Sequence, residues 1–169
     1  CVIMRSLILI FSIILFSLST TANAQEFQGE FKNWGVFTIN QGGQRVCYIT
    51  STPIEKKGNY RSRGEPYMLV TRRNSKSEVS INSGFPFKSG SEVTVSVNGR
   101  FNYGFFTSPE TPEMAWAKSS AADADLIGKM KSGARLTSKG FSKLGTYAQD
   151  TYSLAGFTGA YNKMATLCK

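Results

Sequence analysis

Residues 92–107 read EVTVSVNGRFNYGFFT, a pattern that a helix cannot accommodate. Val93, Val95 and Val97 alternate with Thr94, Ser96 and Asn98, so the segment has one apolar and one polar side only if its backbone is extended. Asn98-Gly99 then supplies the pair of residues that best tolerates positive φ in a hairpin turn. The same grammar recurs along the chain. WGVFTIN (34–40) and RVCYITST (45–52) flank a QGGQ turn, PYMLVTRR (66–73) and EVSIN (78–82) follow, and ARLTSKGF (134–141) and YAQDTYSLA (147–155) close the series. Short strands at this spacing predict an all-β chain, an antiparallel β-sandwich or barrel-like single domain.

One internal and one C-terminal helix complete the expectation. SPETPE (108–113) reads as a loop, after which Ser119 or Ser120 can cap a helix. Asp123 and Asp125 fall in its first turns, where the helix dipole favours carboxylates. Leu126, Ile127 and Met130 give it an inward stripe, and Gly133 ends it. Thr158 is the expected cap of the terminal helix, on which Tyr161, Met164, Ala165 and Cys168 lie near one face. The alternation and the stripe predict burial of Trp34, Val95, Phe105, Trp116, Ile127 and Leu154.

The first residues stand apart from this pattern. Arg5 precedes LILIFSIILFSL (7–18), which is uncharged and too short to span a bilayer, and Ala22-Asn23-Ala24 gives a small-x-small ending. Residues 1–24 therefore read as a secretory signal peptide with Met4 as the natural start, leaving a domain over residues 25–169. The export reading makes the cysteines informative. Of three, Cys1 leaves with the leader, and Cys47 and Cys168 remain. In an oxidising compartment the pair predicts a disulfide, with two buried free thiols as the alternative.

Composition excludes much chemistry. The chain has no histidine, which removes Ser-His and Cys-His nucleophile pairs and most zinc sites. The G-x-S-x-G and S-x-x-K motifs are absent, and no metal, cofactor or nucleic-acid motif appears. Carboxylate chemistry survives, because a glycosidase needs only two placed acids. In YAQDTYSLA, Asp150, Tyr152 and Leu154 face one way and Thr151 and Ser153 the other, which separates any nucleophile from its base. That stretch reads as structural, with Asp150 bonding turn amides.

The net charge is +9, from 20 basic and 11 acidic residues. Arg61, Arg63, Arg72 and Arg73 bracket one apolar strand, with Tyr60 and Tyr67 beside them. They form a candidate anion-contact patch, because a guanidinium meets carboxylate or phosphate through two parallel donors. The plainer alternative is a solvated strand with local salt bridges to Glu65 or Glu78.

NWGVFTI, RVCYITSTP, RGEPYMLVTRR, SGFPFKSGSEVTVSV, AWAKSSAADADLIGKMKSG and GTYAQDTYSLAGFTGAY occur in this order. Together they resemble the invasion-associated locus B family of secreted bacterial proteins, over residues 31–168. The resemblance implies an antiparallel β-sandwich exported to the periplasm or beyond. Its founding member is linked to host-cell entry, and no catalytic residues come with the family. The expected function is that of a periplasmic or secreted, non-enzymatic interaction protein, with anionic envelope or host-surface components as partners. A histidine-free hydrolase of envelope polysaccharide and a basic binder of anionic envelope polymers are the alternatives.

Overall fold

The computed structural model describes residues 24–169. The expected leader lies outside the described residues, apart from Ala24. From β1 (Glu26–Phe31), β2 (Trp34–Gln41) and β3 (Gln44–Ser51) the chain runs through β4 (Glu55–Gly58) to β5 (Tyr67–Arg73) and β6 (Lys76–Asn82). Next come β7 (Val93–Val97), β8 (Phe101–Ser108), β9 (Thr111–Ala117) and helix α1 (Ser120–Ser132). Strands β10 (Arg135–Phe141) and β11 (Tyr147–Ser153) and helix α2 (Phe157–Leu167) complete it. The strands form one antiparallel sheet in the order β1-β2-β3-β5-β6-β9-β8-β7-β10-β11-β4.

Turn chemistry sets the registers. Gly42 and Gly43 adopt φ of 56° and 79°, and Gln41 pairs with Gln44, as a two-residue hairpin loop requires. At the β7–β8 hairpin Asn98 and Gly99 both have positive φ. The Asn98 carboxamide also accepts from the Ala134 and Arg135 N–H groups at 3.0 and 3.2 Å, tying this turn to the start of β10.

The sheet is open and sandwich-like, because it curls over its own inner face. The Trp34 indole donates to Ser153 O at 3.0 Å, and the Asn33 N–H to Ala155 O at 3.4 Å, so β2 meets the far end of β11. Val36, Ile49, Val70 and Val79 form one continuous buried rung across β2, β3, β5 and β6. Helix α1 packs chiefly on β6 through Leu126, Ile127 and Met130, and α2 packs on β2 and β3 through Phe157, Ala160 and Met164. Phe157 meets Trp34 edge to face, with centroids 5.0 Å apart. Burying such aromatic and aliphatic side chains contributes roughly 1.5–3 kcal/mol each.

Five of the six expected core residues are buried, and Trp116 is half-buried. Its strand, β9, begins at Thr111 and so takes in the second half of the segment expected to be a loop. The pairing of Ala115 with Ile81 turns Ala115 inward and leaves Trp116 beside Ser80 and Phe106 on the outer face. Strands β1 and β4 were not expected either. Ser119 caps α1 as expected, its hydroxyl accepting from the Ala122 N–H. Gly133 ends α1 in extended backbone, where a Cβ would fall 2.7 Å from Val97 and 2.8 Å from Leu154. Gly156, not Thr158, caps α2, and the Thr158 hydroxyl donates to Lys131 O at 3.1 Å.

Candidate functional site

The structure separates the four arginines of the expected patch. The Arg63 backbone lies near the surface, but its side chain is only 3% exposed and forks onto Asp150, itself 2% exposed. One guanidinium nitrogen donates to Asp150 Oδ2 at 2.7 Å and to Ser83 O at 2.9 Å, and the other donates to Asp150 Oδ1. The Tyr60 ring covers the guanidinium at 4.5 Å. Burial would lower the Arg63 pKa, but the hydrogen bond and charge of Asp150 outweigh it and raise the value. Arg63 is therefore withdrawn from anion contact, and Asp150 serves this pair rather than turn amides. Tyr152, which follows Asp150 on the same buried face, has its phenol pushed far up by burial and then by the Asp150 charge.

The backbone around this pair is built to bring it together. Gly64 N–H donates to Gly84 O at 2.8 Å, and Gly84 has φ of 75°. A Cβ on Gly84 would lie 2.1 Å from Gly64 O, so only glycine lets the two segments approach. Three distant stretches (RGEP, SGFPF and the strand carrying Asp150) thus converge on one buried ion pair.

Arg72 is also committed. Its Nε donates to Cys168 O at 2.6 Å, and another of its nitrogens to Ser77 Oγ at 3.3 Å, which in turn lies 3.1 Å from the Tyr161 hydroxyl. Cys168 is joined to Cys47 with sulfurs 2.05 Å apart, so the expected disulfide is present, and Arg72 seats the end of the chain over it. Arg61 and Arg73 are exposed. Glu65 pairs with Lys56 at 2.6 Å rather than with any of the arginines.

Arg73 opens onto a groove that sequence reading missed. The β5–β6 turn stands beside the start of α1, leaving two adjoining clefts of about 350 Å³ each. Arg73, Lys76, Glu78, Ser120 and Asp123 line the first; Lys76, Ser77, Ser120, Lys131 and Tyr161 line the second. Lys131 Nζ sits 4.2 Å from the centre of the Tyr161 ring. The positive end of α1 lies at Ser120, which both clefts share, and adds to the attraction for anions. Asp123 is buried, and its Oδ1 accepts the Val79 N–H at 2.9 Å. Burial raises its pKa most, the bond to Val79 opposes the rise, and the nearby Glu78 charge adds to it. The turn itself places Asn74 and Ser75 at φ of 46° and 64°, and the Asn74 carboxamide accepts from Gln44. The three cations come from separate elements, β5, β6 and α1, and only proximity of Arg73 to Lys76 in sequence hinted at the groove.

Among the described residues no cluster of histidine, cysteine or acidic side chains is suited to a metal, and no helix is long and apolar enough to cross a membrane. Among solved structures, the crystal structure of invasion associated protein B from Bartonella henselae is similar, with a TM-score of 0.60 and 17% identity. The likeness covers 84% of this chain and 96% of that one, and at this identity it speaks for the fold. No curated protein matches the chain. The family described as invasion associated locus B (IalB) protein matches residues 34–165. With that match spanning most of the described domain, the chain belongs to the invasion associated locus B family.

Proposed function

We propose that the protein is an exported, non-enzymatic binding protein of the periplasm or cell surface, and that the groove between the β5–β6 turn and α1 receives an anionic group. Acidic glycans and phosphorylated envelope polymers are the class it fits. The supporting observation is the convergence of Arg73, Lys76 and Lys131 on two adjoining clefts that also offer the hydroxyls of Ser77, Ser120 and Tyr161. A disulfide in a chain with a signal-like start is consistent with export. Retention on an immobilised anionic polymer in a salt gradient tests the reading. The Arg73→Ser/Lys76→Ser/Lys131→Ser variant elutes at clearly lower salt than the parent, because fewer charges are available to be screened. Unchanged retention refutes it.

A second reading has one observation behind it. Glu78 and Asp123 line one cleft, and the Asp123 carboxyl is held protonated to higher pH than usual, as the general acid of glycan hydrolysis requires. The bond from Val79 N–H gives Asp123 a structural duty as well. Release of reducing ends from envelope polysaccharide by the parent, abolished in Glu78→Gln, distinguishes an enzyme from a binder.

A further inference from the structure

Leu144 is 82% exposed at the tip of the β10–β11 turn, and nothing about the turn is slack. The Ser142 hydroxyl accepts from the N–H groups of Leu144 and Thr146, both at 3.2 Å, and lies 2.7 Å from the Thr146 hydroxyl. Ser142 N–H donates to Thr146 O at 2.7 Å, and Gly145 N–H to Ser142 O at 2.9 Å. A second loop, residues 83–91, is zipped to this one. Lys88 N–H donates to Phe141 O at 2.9 Å, Lys143 N–H donates to Pro86 O at 3.0 Å, and Phe87 bridges Ser142. The turn is held in a shape that keeps a leucine in water when burial would favour it by about 1.5–3 kcal/mol. Single exposed apolar residues are common, but this one has company. Phe141 is 42% exposed and packs beside Tyr147, with centroids 6.5 Å apart. Lys88, Lys139 and Lys143 are exposed around it, and Lys139 lies over the Tyr147 ring at 5.3 Å. Of the carboxylates, Glu92 directly follows the 83–91 loop, and Glu113 lies in β9.

We propose that the paired loops 83–91 and 141–147 form a docking tip for an anionic lipid surface. Leu144 and Phe141 enter the boundary between headgroups and acyl chains, and Lys88, Lys139 and Lys143 face the headgroup phosphates. Charge complementarity selects this occupant: a soluble anionic polymer satisfies the lysines but leaves Leu144 in water, whereas an anionic bilayer satisfies both. Lysine stems lie along apolar surface while their ammonium groups reach the polar layer, which suits side chains flanking an inserted tip. The site shares no lining residue with the basic groove and goes beyond the function proposed for it.

Co-sedimentation with vesicles tests the proposal, using residues 25–169 with the disulfide formed, which hold every strand and helix of the described fold and lack the apolar leader. The chain pellets with vesicles of phosphatidylcholine mixed with phosphatidylglycerol and much less with phosphatidylcholine alone. Leu144→Ser weakens that binding about fivefold or more, as loss of one buried aliphatic side chain implies. Lys88→Ser/Lys143→Ser weakens it about fivefold per lysine removed. The triple variant of the groove retains it. Because Leu144 is exposed, its replacement leaves folding intact, and Leu144→Trp supplies a second measure through a blue shift of fluorescence on adding mixed vesicles. The proposal is overturned if the parent chain ignores anionic vesicles, or if Leu144→Ser binds them as the parent does. It is equally overturned if the groove variant alone loses binding.

Discussion

Removing either partner of the Arg63–Asp150 pair should be the most damaging single polar change in the domain. The two side chains are 3% and 2% exposed, so neither charge can be rehydrated when the other is deleted. Breaking a buried pair in this way costs about 3–5 kcal/mol, whereas replacing both partners by apolar residues of similar size can be close to neutral. In a domain of this length about 1 kcal/mol moves Tm by roughly 3–5 °C. Arg63→Met and Asp150→Leu should therefore each lower Tm by about 10–20 °C. The double variant should recover much of that loss. The assay is thermal and urea unfolding followed by tryptophan fluorescence, to which Trp34 contributes a probe that is fully buried against Phe157 and loses that contact on unfolding. Single variants that lose less than about 1 kcal/mol, or losses that simply add in the double variant, would refute the claim that these residues act as one buried unit.

Further outcomes follow from other parts of the structure. The Cys47–Cys168 bridge spans 121 residues of sequence, and in the chain-entropy model closing such a loop stabilises by about 5 kcal/mol; Cys47→Ala/Cys168→Ala should show a large fall in the urea midpoint. Gly84→Ala forces a Cβ against Gly64 O and should destabilise by more than about 1 kcal/mol, whereas Gly90→Ala, with no atom within 4 Å, faces only the unfavourable φ. Asp123 has a raised pKa in the folded state, so between its unfolded value and that raised value the native protein binds more protons. Its contribution to stability accordingly falls as pH rises through this window. Asp123→Asn should flatten that decline in denaturation curves taken across the acidic range, and a steeper decline would contradict the sign.

Where the apolar pattern is local, the fold is legible in the sequence. The strand pattern found β2, β3, β5, β6, β7, β8, β10 and β11, and the Gly-Gly and Asn-Gly turns pinned two registers. It could not find β4, whose EKKG is exposed along its whole length and carries the lysines that suit an edge strand. Nor could it find β9, where Pro112 and Glu113 look like a loop until β6 and β8 close on either side. Trp116 shows the same limit, since partner strands decide which face of a short segment is inner. The orientation of Asp150 was readable from alternation, but its partner was not. Arg63 lies 87 residues away in sequence, and adjacency to Arg61 pointed instead to a surface patch. The groove was hidden for a related reason: Lys131 reaches it only because α1 packs on β6.

The binding reading rests on the groove, and mapping amide shifts by NMR while titrating a soluble anionic oligosaccharide tests it most directly. Saturable shifts should concentrate at Arg73, Lys76, Ser77, Ser120 and Lys131, with the buried Arg63 and Asp150 unmoved. Shifts confined to other surfaces, or none at all, would contradict it.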